Sequence, residues 1–280
     1  MCRVLLAIAC ALPMAAAAPV QRIPSVTDAM RRVAAYVDAY GEKASIVVAT
    51  EHYTQQARTE RTDAPRERRL VADFAIVKVM RRWQGFRDVV EVDGAAVADR
   101  DDRLVRLLTQ PGGGYDEARR LSDESARFNI GAIQRNFNVP TTALFFFRLE
   151  DLDRFTFSAK GVDDAGVWEI AFRERSRPTL IRTPRGESIP SKGSLWVNPQ
   201  DGTVVRTLLE VEGFSGRRRS DTRASGRVDV IYRRVPELDM WLPASMDENF
   251  GVTSRDESEH ISGRALYSNY RQFQTAVRIK

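Results

Sequence analysis

From Arg154 onward the apolar residues recur at every second position, and they continue to do so through most of the remaining chain. Phe155, Phe157 and Ala159 alternate with Thr156, Ser158 and Lys160, and Trp168, Ile170 and Phe172 alternate with Glu169, Ala171 and Arg173. Val205, Thr207, Leu209 and Val211 alternate in the same way with Arg206, Leu208, Glu210 and Glu212. Only a pleated strand puts alternate residues on one face. Strands that follow one another without helices between them pair antiparallel, through hairpins. Asp201-Gly202 is a tight-turn dipeptide placed to join the Leu195–Val197 run to the strand beyond it. Further strands are expected at Val228–Val235, Trp241–Phe250 and Ile261–Val277.

The first half of the chain is mixed. Ser25 is an N-cap with Asp28 three residues on, and Val26, Met30, Val33, Val37 and Tyr40 follow at helical steps, with Gly41 as the expected stop. Ile46 to Glu51 then alternates as a strand, and Leu70–Met80 and Phe86–Val92 are two more, the last ending at the turn pair Asp93-Gly94. The mixed-charge stretch Arg58–Arg69, which contains Pro65, is expected to be an exposed hairpin loop. Helical spacing returns across about 101–150. Leu104, Val105, Leu107 and Leu108 form a short helix closed by Pro111 and Gly112–Gly114, and Ala118, Leu121, Ser125 and Phe128 form a stripe on a second. The expected class is therefore α+β with one large antiparallel sheet, in a single domain over 18–280.

Residues 1–17 are expected to be a signal peptide: Arg3, an apolar run from Val4 to Leu12, and small residues from Ala15, with cleavage after Ala17. Cys10 raises the alternative of a lipoprotein signal, but Ala7 stands where such signals usually carry Leu. Both cysteines of the chain, Cys2 and Cys10, lie in this segment. An exported chain cut there, in the periplasm or outside the cell, folds without disulfides and depends on its hydrophobic core.

Two stretches carry a likeness. Trp196-Val197-Asn198-Pro199-Gln200-Asp201-Gly202, followed by Val204-Val205-Arg206, resembles the hairpin of the periplasmic lipoprotein-carrier (LolA-like) superfamily, and Val90-Glu91-Val92-Asp93-Gly94 resembles the strand before that superfamily's helical lid. Glu124–Gly131 and Arg177–Ile181 are similar to stretches of secreted bacterial proteins of unknown function. The LolA-like resemblance implies a strongly curved, unclosed half-barrel with an N-terminal helix, a mid-chain helical insertion as lid, and a hydrophobic ligand such as a lipid or acyl chain. Fold alone does not select the ligand.

Several chemistries lack their residues. With His52 and His260 as the only histidines and no cysteine after Cys10, neither a metal site nor a cofactor is expected. No G-x-S-x-G elbow is present, and Gly112–Gly114 lacks the Gly-Lys-Ser/Thr ending of a phosphate loop. The 43 Lys and Arg are mixed with 38 Asp and Glu, which reads as a solvated surface and not a nucleic-acid face. Asp99, Asp101 and Asp102 read as a helix cap interleaved with Arg100 and Arg103, and Arg217–Arg219 as a hairpin tip open to transient contact with a membrane surface.

Apolar residues remain. Leu144, Phe145, Phe146 and Phe147 place three aromatics in a row, more than one helix face directs into a single core. With Trp83, Trp168, Trp196 and Trp241 they are candidates for a cavity wall or lid, and core packing is the alternative for each. Arg127, Asn129, Arg135 and Asn138 flank this run; they either satisfy backbone groups of an irregular connection or, for Arg127 and Arg135, tether the lid to the sheet. Three functions stay open at this point. They are a non-catalytic carrier of a hydrophobic ligand, a hydrolase using carboxylates that the sequence does not single out, and an interaction module of the cell envelope.

Overall fold

The computed structural model describes residues 24–45, 47–60, 64–79, 82–98, 115–131, 135, 137–183, 185–215, 222–254 and 257–272. The signal segment, the helix expected on Leu104–Leu108, the glycines 112–114, the Asp99–Asp102 cluster and the Arg217–Arg219 run lie outside the described residues.

Helix α1 spans Val26–Ala44, and Ser25 caps it in a reciprocal capping box with Asp28. Its buried stripe, Met30, Val33, Val37 and Tyr40, follows the spacing read from the sequence. Gly41 does not end this helix, which runs on to Ala44. A Cβ at Gly41 would fall inside the Trp83 indole, so the glycine serves close packing and not termination. Gly41→Ala is therefore expected to lower stability by about 1–3 kcal/mol through overpacking, against the higher helix propensity of alanine. Urea unfolding with acrylamide quenching of tryptophan checks it, and an unchanged or raised midpoint would contradict the packing role.

The strands are β1 (Val47–Thr59), β2 (Arg66–Val79), β3 (Arg82–Val92), β4 (Ala95–Ala96), β5 (Phe155–Val162), β6 (Trp168–Glu174), β7 (Ile181–Arg182), β8 (Ser188–Ile189), β9 (Ser191–Val197), β10 (Val204–Ser215), β11 (Thr222–Val235), β12 (Met240–Ser254) and β13 (Ser258–Gln272). Eleven of them form one antiparallel sheet in the order β4-β3-β2-β1-β13-β12-β11-β10-β9-β6-β5, and β7 and β8 pair separately. The C-terminal meander is joined to the N-terminal strands by β1 against β13, from Val47 opposite Gln272 to Thr59 opposite Glu259. β4 and β5 remain as edges, so the sheet is an unclosed half-barrel, the architecture the LolA-like resemblance implies.

The Arg58–Arg69 stretch is strand at both ends, with Arg58 and Thr59 closing β1 and Arg66–Arg69 opening β2, so that Gln56 lies opposite Glu67 and Ala57 opposite Arg66. Cross-strand pairs carry the ladder past the core, with Gln56 bonded to Glu67 at 3.2 Å and Arg66 paired with Glu259 at 2.9 Å. The 196–202 hairpin has a packing role as well. Gly202, at φ +79°, sits so close to the backbone of Arg32 and Val33 that no side chain fits, and the Arg32 guanidinium donates to the Pro199 carbonyl at 2.6 Å.

The sheet buries both faces near its N-terminal strands. Phe74 and Ile76 enter the main core with α1, whereas Ala75 and Val77 turn outward and cluster with Val48, Phe86 and Leu121. Leu121 belongs to α2 (Tyr115–Ala126), which packs along β3. The mid-chain insertion thus serves both faces: its helix lies on the outer one, and the irregular connection after Ala126 fills the inner one. Leu144–Phe146 is a single 3₁₀ turn and not an α-helix, and a second 3₁₀ segment covers Leu149–Arg154.

Candidate functional site

The inner face of β1 is polar. Glu51, Tyr53, Gln55 and Ala57 point inward at every second position, while His52 is exposed between them. Arg87 of β3 lies opposite Phe74 and turns the same way, forming a two-pronged pair with Glu51, one bond at 2.7 Å. Tyr267 donates to Glu51 at 2.6 Å, and the Arg87 guanidinium lies 4.6 Å from the Tyr53 ring centre. Tyr53 donates to Glu248, whose carboxylate also faces Arg135 at 3.5 Å. Burial holds Glu248 above the ordinary carboxylate range, against the opposing pull of Arg135. Burial likewise opposes the Arg87 charge, and Glu51 more than restores it, so its guanidinium stays charged.

This network binds the irregular connection to the sheet. Arg135 donates to Gln55 at 2.7 Å and to the Ile130 carbonyl at 3.0 Å, and Gln55 accepts from the Ile130 amide at 3.2 Å. Arg87 donates to the Asn138 carbonyl at 3.1 Å, Asn138 to the Tyr53 hydroxyl at 3.2 Å, and Tyr232 to the Pro140 carbonyl at 2.7 Å. Chain buried without regular structure needs side chains to meet its backbone groups, and these supply them. The free space beside Arg87, Arg135 and Asn138 is about 20 Å³, room for one water and no substrate.

A larger opening lies where the connection meets β3. A cleft of about 440 Å³ runs between Trp83–Phe86, the Phe137–Arg148 stretch and Leu180 with the adjoining β7, walled by Trp83, Phe137, Val139, Phe145, Phe146 and Leu180. Three arginines stand at its margin: Arg82 binds Asp151 through two bonds at 2.9 and 3.3 Å, Arg148 pairs with Glu150 at 2.7 Å, and Arg182 donates to the Thr179 carbonyl at 3.0 Å.

The residues singled out from sequence divide accordingly. Trp83, Phe145 and Phe146 wall this cleft. Leu144 and Phe147 are fully enclosed, and the Phe147 ring meets those of Phe146, Phe155, Phe157 and Phe172. Trp168 packs against the core, Trp196 lies under the Arg206 guanidinium at 4.3 Å, and Trp241 borders a different opening beside α1. Arg135 is buried within the network, whereas Arg127 is exposed, so the expectation of a buried tether at that position is corrected; among the described residues the other buried arginine is Arg87. Sequence reasoning passed over Glu51, Gln55, Arg87 and Glu248. Glu51 and Gln55 had one signal, the polar E-x-Y-x-Q rhythm on β1, and Arg87 and Glu248 had none there. Among the described residues, no group of three His, Cys, Asp or Glu could hold a metal, and no helix is long and apolar enough to cross a membrane.

No family model and no curated protein matches the chain. Among solved structures, it is similar to an outer membrane lipoprotein-sorting protein domain from Vibrio parahaemolyticus, with 12% identity and a TM-score of 0.35 over 88% of this chain and 93% of that one. It is also similar to a DUF1329 family protein from Desulfovibrio piger, with 9% identity and a TM-score of 0.34 over 91% and 95% of the two chains. A LolA superfamily protein from Nitrosomonas europaea matches at 9% identity and a TM-score of 0.29, over 87% and 96%.

Proposed function

We propose that the protein is an exported, non-catalytic binding or carrier protein that takes a lipid, acyl chain or other hydrophobic ligand in the cleft walled by Trp83, Phe145 and Phe146. The observation that carries the reading is the cleft itself. Its volume lies in the range of about 300–1,000 Å³ common to small-molecule sites, its walls are aromatic and aliphatic, and two of its three marginal arginines, Arg82 and Arg148, already have carboxylate partners. Such a site gains its affinity mainly from apolar burial. Arg135 acts in this reading as the tether of the connection that supplies Phe137 and Val139 to the wall. Export follows the reading of residues 1–17, and delivery would involve transient contact with a membrane surface.

Native mass spectrometry of the protein purified from an exporting host, with organic extraction, is expected to reveal a stoichiometric lipid or acyl species. A fluorescent fatty acid should bind the emptied protein. Leu180→Asp, on the partly exposed wall, should weaken that uptake by about tenfold or more, the equivalent of about 1.4 kcal/mol, while the unfolding midpoint changes little. A clean apo mass together with no fatty-acid uptake would reject the carrier reading.

A further inference from the structure

The charge around the hydrophobic cleft is one-sided. Arg82 and Arg148 are matched by Asp151 and Glu150, but Arg182 of β7 meets no carboxylate among the described residues. Arg182 is exposed, yet its stem is fixed. Its Nε–H donates to the carbonyl of Thr179, a buried residue whose amide donates to Ser188 at 3.2 Å and whose hydroxyl donates to the Ile181 carbonyl at 2.6 Å. The Leu180 amide donates to the buried Glu174 carboxylate at 2.8 Å, which ties the same turn to β6. The guanidinium is therefore held on one side, and among the described residues its two terminal nitrogens have no partner. Arg177 and Arg185, both exposed, stand on the same segment, within about 18 and 11 Å of Arg182 by the reach of the chain. Its one surface carboxylate, Glu187, accepts from Thr183 at 3.3 Å.

We propose, resting on the carrier reading of this cleft, that its hydrophobic ligand carries an anionic head group and that Arg182 selects it. The ligand is then an acyl chain ending in a carboxylate or a phosphate, in place of a neutral lipid. Two oxygens of such a group accept in parallel from the two terminal nitrogens of a guanidinium, a match that a hydroxyl head group does not offer. An anion at Arg82 or Arg148 would have to displace Asp151 or Glu150, whereas at Arg182 it displaces only water. The chain meanwhile lies against the aromatic wall, where burial supplies most of the affinity. Arg177 and Arg185 add to the positive field on that side, which draws anions and repels cations.

Equilibrium dialysis of the delipidated protein against laurate, lauroyl lysophosphatidate, monolaurin and dodecylamine, at neutral pH and below their micellar concentrations, tests the assignment. The chains are matched, so differences report the head group. At least one of the two anions is expected to bind about fivefold or more tighter than monolaurin, and dodecylamine to bind weaker than monolaurin. The tighter of the two anions tells a carboxylate head group from a phosphate. Arg182→Gln should cut the preference for the anion over monolaurin to about twofold or less, and Arg182→Lys, which keeps the charge and loses the fork, should fall between. Arg182 is exposed, so both variants should fold. Equal affinities for the anions and monolaurin, or a preference undiminished in Arg182→Gln, would overturn the head-group assignment and leave the carrier reading standing. Binding of none of the four would reject the carrier reading, and the assignment with it.

Discussion

Raising the pH past 10 is expected to unfold the protein in one steep step, with its tyrosines ionising only as it opens. Burial raises Tyr40, Tyr53, Tyr232 and Tyr267 above the ordinary tyrosine value, and Tyr53 and Tyr267 are pushed further by the neighbouring carboxylates Glu248 and Glu51. Below about pH 10 both the folded and unfolded chains hold these protons, and stability is independent of them. Above it the unfolded chain releases them while the folded chain does not, so stability falls as pH rises. Each group contributes about 1.4 kcal/mol per pH unit, and the four together about 5. Tyr36 and Tyr270, also raised by burial, steepen the fall. Against the roughly 5–15 kcal/mol of an ordinary domain, the folded state should be lost by about pH 12. Tyrosinate absorbance and far-ultraviolet circular dichroism, followed together, should change in a single transition. Gradual tyrosinate formation centred near pH 10, with the dichroism intact, would show that these hydroxyls reach water.

Of these tyrosines Tyr40 stands on the helical stripe that periodicity marks, but that Tyr53, Tyr232 and Tyr267 stand inside could not be read that way. The alternation after Arg154 identifies strands because it depends on local geometry, and β5, β6, β9, β10 and β12 all lie where it puts them. The Ser25 cap and the Asp93-Gly94 and Asp201-Gly202 turns are local in the same sense. The inner polar network is not: Tyr53 meets Glu248 across 195 residues and Tyr267 meets Glu51 across 216, by way of the β1–β13 and β12–β13 pairings. Gly41 shows the same limit at one residue. By sequence it is a helix stop, and only the approach of Trp83 from β3 shows why a glycine stands there. For the aromatic run, three rings in a row did point away from a simple amphipathic helix. Which ring met core and which met cleft depended on a 3₁₀ turn that encloses Phe147 completely and leaves Phe145 and Phe146 at the cleft wall, with Phe146 still stacked on Phe155.

Arg87→Met is expected to destabilise the protein by about 3–5 kcal/mol, the cost of leaving a buried carboxylate without its cation. Glu51 is fully enclosed, and the variant leaves it with the Tyr267 hydroxyl as its remaining donor within the network described above. The Asn138 carbonyl loses its Arg87 donor at the same time, so the connection over residues 127–142 should loosen first, with faster amide exchange there than in β12 or β13. Removing both charges together has a different outcome. In Arg87→Met with Glu51→Leu no ion is left unpaired, and apolar side chains of similar bulk replace the pair, so most of the lost stability should return. Urea unfolding of the wild type, both single variants and the double variant gives the coupling directly. A double variant as unstable as the sum of the singles would mean that the two residues act separately, and a loss below about 1 kcal/mol for Arg87→Met would mean that water reaches Glu51. A large coupling with restored stability would show that the pair's contribution is to orient the buried connection and not to add net stability. The polar interior would then be what holds Phe137 and Val139 in place at the cleft wall, where a hydrophobic ligand would meet them.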